Sequence, residues 1–130
     1  MTKQEHIAYW LNSVAEDVET MNYLFAGKRY VHALFFGHLY IEKISKALWI
    51  KNNEENYPPK IHNILALLKQ ANIILEDEQQ VFLLKLNQYQ IEGRYPEDIE
   101  NLYKKTDIKL SLDYFEQIKI IAQCLQEKMQ

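Results

Sequence analysis

The chain has 130 residues, 48% of them hydrophobic, with only three Gly and three Pro, which suits a single helical domain over 1–130 and excludes a disordered or β-rich protein. Fifteen Lys and Arg against eighteen Asp and Glu leave a net charge of −3; this excludes a broad, salt-driven grip on nucleic acid while leaving room for a local basic cluster that holds phosphate. A single Cys124 excludes an internal disulfide and suits a reducing cytoplasm, MTKQEHIAYW lacks the unbroken apolar core of a signal peptide, and no apolar run approaches the ~18 residues of a membrane span.

In chain order, Gln4–Ala26 reads as an amphipathic helix. Ile7, Leu11, Val14, Val18, Met21 and Phe25 recur at three and four, Trp10 joins them, and Glu16, Asp17 and Glu19 take the solvated face. Gly27 is placed to end it as a left-handed cap, and GKRY turns the chain back into an antiparallel neighbour. That neighbour, Tyr30–Lys51, is the centre of the fold. Tyr30, Ala33, Leu34, Gly37, Ile41, Ile44 and Leu48 form one seam, widened by Phe36, Tyr40 and Ala47. Phe35, Leu39 and Trp49 lie on the other side, between His38, Glu42 and Lys46. A helix apolar around most of its circumference is covered from several directions. The mixed side therefore faces a ligand, a partner or a second copy, with Phe35, Leu39 and Trp49 as the expected dimer contacts.

The central helix ends in KNNEENYPPK. A short helix follows from about Ile61 to Asn72, with Ile64, Leu65, Leu67 and Leu68 inward. Asp77 can cap the next, which turns Val81, Leu84 and Tyr89 to one side. GRYPED is a break, and Ile99, Leu102 and Tyr103 suffice for one helical turn before Thr106. The last helix, Leu110–Lys128 with its start at Ser111 or Asp107, carries a stripe of Leu112, Phe115, Ile118, Ala122, Leu125 and Met129. The expected fold is all-α, an up-and-down bundle of four to five helices.

Four features carry possible chemistry. His38, Glu42 and Lys46 follow one another at spacings of four; a salt-bridge ladder, solvated or at an interface, is favoured over a metal site, because no matching His or carboxylate pair occurs on another helix. Lys43 and Lys46 can hold a phosphate as point charges. His62 follows the double proline, where an imidazole caps or packs. Arg94, followed by Tyr95 and Pro96, places a guanidinium at a break, suited to a phosphate or to a carboxylate such as Glu92, Glu97 or Asp98. Cys124 adjoins an apolar stripe, there is no Gly-rich phosphate loop, and neither a metal nor a cofactor is expected.

Several motifs, in order, resemble the HEPN domain family of small prokaryotic helical proteins. They are Trp10, Leu11, Asp17 and Val18 in the first helix, then GKRY, then IEKISKAL with Glu42, Lys43, Lys46, Ala47 and Leu48. After these come His62 with Ile64, Leu65 and Leu68, and finally IEGRYPED with Arg94, Tyr95 and Pro96. The resemblance implies a helical bundle, commonly dimeric, that often accompanies a minimal nucleotidyltransferase and binds a nucleotide or that enzyme's substrate. Some members are ribonuclease toxins of toxin–antitoxin pairs, which use an Arg followed roughly four to six residues later by a His. Here Arg29 precedes His32 too closely and His38 too distantly, and no His follows Arg94. Without that pair, attack by a ribose hydroxyl lacks its usual acid–base partners. The expectation is therefore a non-catalytic cytoplasmic module, with Glu42, Lys43, Lys46, His62, Arg94 and Tyr95 around one cleft for a nucleotide or RNA phosphate. A ribonuclease and a purely structural dimer are the alternatives.

Overall fold

Thr2 opens the first helix. Its hydroxyl accepts from the Glu5 N–H at 3.1 Å, which satisfies one of the amides that a helix leaves free at its start. The helix, α1, runs Lys3–Ala26 in the computed structural model, which describes residues 1–91 and 95–130. Ile7, Val14 and Met21 are its buried apolar residues, as their spacing requires. Asp17 departs from the expected solvated face and is buried, because Lys43 on the next helix reaches it.

The turn differs from the glycine cap. Gly27 has φ −82° and is nearly right-handed, while Lys28 takes the left-handed conformation at φ 60°. The Arg29 N–H then reaches back to the Leu24 carbonyl at 2.8 Å, closing the turn one residue later than a glycine cap would.

Helix α2 spans Tyr30–Asn52, and most of its residues are buried. It is the centre of the bundle: α1 packs along its length, and α6 (Ile108–Glu127), α4 (Asp77–Ile91) and α3 (Ile64–Gln70) cover the rest. Gly37 marks a close approach. A Cβ there would stand 2.5 Å from Ile118 Cδ1 of α6 and 3.4 Å from Met21 Sδ of α1, so the missing side chain lets two helices close on α2 at one level.

Trp49 is covered by the chain itself. It is 7% exposed, packs with Ile7, Ile50 and Leu67, and donates from Nε1 to Gln70 Oε1 at 2.8 Å. As a dimer contact it has almost no surface to offer, whereas Phe35 and Leu39 stay half-buried.

Asn63 caps α3 by accepting from the Ala66 N–H, so this helix begins three residues after the expected Ile61. Asp77 is the first residue of α4 rather than its cap; just before it, the Glu76 N–H donates to Gln79 Oε1. Phe82, Leu83, Leu86 and Tyr89 form the inner face of α4, while Val81 and Leu84 are exposed. The polar stretch expected to give one turn is a ten-residue helix, α5, at Pro96–Lys105, with Pro96 in its first turn and Leu102 buried. Asp107 caps α6 through the Leu110 N–H; Leu112 faces solvent there and Ser111 is buried in its place. The architecture is all-α, with six helices and no strand among the described residues. No helix among them is long and apolar enough to cross a membrane.

Candidate functional site

The spacing of four along α2 stacks His38, Glu42 and Lys46 in one line. The Glu42 carboxylate, 3% exposed, is the hub. Lys46 Nζ donates to its Oε2 at 3.1 Å, and His62 Nδ1 stands 3.2 Å from Oε2 and 3.3 Å from Oε1. His38 Nδ1 is 3.7 Å from Oε1, within ion-pair reach but beyond a hydrogen bond. Taking a carboxylate out of water is costly unless cations and donors replace the solvent, and here two elements supply them. One is the next turn of α2. The other is the segment entering α3, whose His62 side chain remains 55% exposed. The ladder is thus buried rather than solvated. Trp10 of α1 lies over it, with Lys46 Nζ 5.0 Å from the ring centroid in a cation–π contact.

His38 is the electrostatic exception. Burial pushes its pKa down to about 4, an effect only partly offset by Glu42 and the Asn87 side chain and reinforced by His62. It is therefore a neutral imidazole near pH 7. A cavity of about 20 Å³, the size of one water, adjoins it between Asn63 and Asn87.

Of the residues expected to share a cleft, Glu42, Lys46 and His62 come together. Lys43 points to α1, with Nζ 2.7 Å from Asp17 Oδ2 and donating to Ser13 Oγ at 2.6 Å. Tyr95 is exposed at the start of α5, and no hydrogen bond or ion pair among the described residues joins it to the cluster. Arg94 lies outside the described residues. No group of three or more His, Cys, Asp or Glu among the described residues is arranged to hold a metal.

Two contacts escaped the sequence reading: the cover that Trp10 gives Lys46, and the pairing of Asp17 with Lys43. Asp17 and Val18 stand in the first motif that carries the resemblance, and that placement is the one signal that set Asp17 apart from Glu16 and Glu19.

A bundle built on one buried central helix, with an internally neutralised Glu–Lys pair on that helix, is the class these features define. The HEPN domain family matches residues 7–125, nearly the whole chain. The chain belongs to the HEPN domain family. No curated protein and no solved structure gives a significant match.

Proposed function

We propose that this HEPN protein is a non-catalytic binding module that works as a homodimer and engages a nucleotide or a nucleotidyltransferase partner. The observation that supports this most is the commitment of Glu42. A general acid or base must be free to exchange a proton with its substrate, but Glu42 is buried between Lys46 and His62, and Lys43 is likewise held by Asp17. These groups hold α1, α2 and the entry to α3 together. The ribonuclease spacing of Arg and His is also absent from the sequence. Phe35 and Leu39, half-buried on α2, leave an apolar strip at which a second copy can dock.

The test is thermal melting against a panel of nucleotides, alongside incubation with RNA. A ligand that binds only the folded state raises Tm with concentration, and RNA remains intact. Absence of any nucleotide-dependent shift removes the nucleotide as ligand, and cleavage of the RNA overturns the non-catalytic reading.

One observation favours the alternative, a ribonuclease. His62 meets Glu42 through Nδ1 while its side chain stays 55% exposed, as when a carboxylate orients a catalytic base. RNA cleavage abolished by His62→Ala and by Arg94→Ala would establish that reading in place of the first.

A further inference from the structure

Lys43 and Lys46 of α2 are committed to carboxylates, but among the described residues Lys28 and Arg29 in the turn before it are not. Lys28, Arg29 and His32, with Tyr30 and Tyr103, surround a cavity of about 190 Å³ floored by the buried Val31 and Thr106. None of the three basic side chains stands in an ion pair among the described residues. Among the described residues, no carboxylate lines the cavity. Asp107, the next residue after Thr106, is turned away to cap α6, its Oδ1 accepting from the Leu110 N–H at 2.8 Å.

The chemistry of the walls selects the ligand. An Arg fork beside a Lys ammonium matches the two negative charges and several acceptor oxygens of a phosphate better than a single carboxylate. His32 adds a ring nitrogen, and its ring centroid lies 6.1 Å from that of Tyr103. Tyr30, also in the lining, makes an edge-to-face contact with Phe25 at 5.4 Å. The Tyr103 ring, 52% exposed, borders the cavity with its apolar surface open. Complete small-molecule pockets run from ~300 Å³ upward, so a cavity of this size takes the anionic end of a ligand and leaves the remainder outside, within reach of Tyr103.

We propose that this cavity holds the phosphate end of a nucleotide, with Arg29 and Lys28 carrying the charge, His32 donating a further bond and Tyr103 lying against the sugar or base. The inference rests on the nucleotide-binding reading above and moves the anionic end of the ligand from the Glu42–Lys46 cluster to the α1–α2 turn.

The experiment is a titration of the ¹⁵N-labelled full chain with ADP, with pyrophosphate and with adenosine, followed through backbone amides. ADP and pyrophosphate are expected to shift the Tyr30, Val31 and His32 amides saturably, and adenosine to leave them in place. Arg29→Gln should weaken ADP by tenfold or more at an unchanged Tm. Lys28→Gly, which retains the left-handed turn, should weaken ADP without lowering Tm. If ADP instead moves amides around Glu42 and His62, and Arg29→Gln binds it as well as the parent does, the cavity assignment falls and the nucleotide reading stands. If pyrophosphate alone moves the turn amides, the anion site stands and the nucleotide reading falls. If neither moves them, the cavity is not a site.

Discussion

His62 reaches Glu42 from outside the helix that carries it. With Nδ1 3.2 Å from Oε2, it clips the segment leading into α3 onto the middle of α2, and the carboxylate it meets has already been neutralised one turn along by Lys46.

Glu42→Ala is therefore expected to destabilise the protein by about 3–5 kcal/mol, because it leaves Lys46 buried without a counter-charge. Replacing both partners with apolar residues, as Glu42→Leu with Lys46→Met, should cost much less than the single change, since no charge then remains buried. Urea denaturation of the three proteins checks this. A double variant as unstable as Glu42→Ala would mean that the pair is not the source of the loss.

His38 makes stability depend on pH. Its folded pKa of about 4 lies below the ordinary 6.5, so between these values the unfolded chain binds the proton and the folded chain does not. The contribution is fully present above about pH 6.5, is lost as pH falls through that window, and levels off below about pH 4. Its size is of the order of 3 kcal/mol. His38→Gln, which cannot titrate there, should flatten the slope of unfolding free energy between pH 6.5 and 4. An unchanged slope would assign the dependence to another group.

Lys28→Gly should raise stability by up to about 1 kcal/mol. A left-handed conformation disfavours any residue with a Cβ by roughly that amount or more, and the added freedom of the unfolded glycine chain offsets part of the gain. The melting temperature is the readout, and a fall would show that the Lys28 side chain contributes to the fold.

Gly37→Ala should be neutral to destabilising, by about 0–2 kcal/mol. Better helix propensity competes with the collision against Ile118 Cδ1, a fully buried side-chain end that must shift to admit the new methyl. Ile118→Val removes that methyl. In its background the alanine should become more favourable by about 1 kcal/mol, a coupling that a double-mutant cycle measures directly.

The long helices were legible because their apolar residues recur with an unambiguous phase, as Ile7, Val14 and Met21 do. Helix α4 was not: Val81, Phe82, Leu83, Leu84 and Leu86 are nearly continuous, so periodicity alone cannot say that Phe82, Leu83 and Leu86 face in while Val81 and Leu84 face out. Helix α5 was underestimated because it buries only Leu102. Its real signal is at its ends, Pro96, Glu97 and Asp98 in the first turn and Lys104 and Lys105 in the last, all matched to the helix dipole. Asp17 shows the limit for the site. An acid on an apparently solvated face becomes buried only because Lys43, on another helix, lies opposite, and no local pattern encodes that meeting.

The same pairing has a consequence for the order in which the chain assembles. Helices α1 and α2 are fastened at three levels: by Arg29 to Leu24 at the turn, by Lys43 to Asp17 midway, and by Lys3 to the carbonyls of Ile50 and Asn53 at the open end. Closing this hairpin joins segments that follow one another directly, whereas α6 must return across all of α3, α4 and α5 before Ile118 can seat against Gly37. Loop closure costs more for the later contact. The hairpin is thus the natural nucleus and α6 the late arrival, so that weakening Asp17 slows folding while trimming Ile118 mainly hastens unfolding.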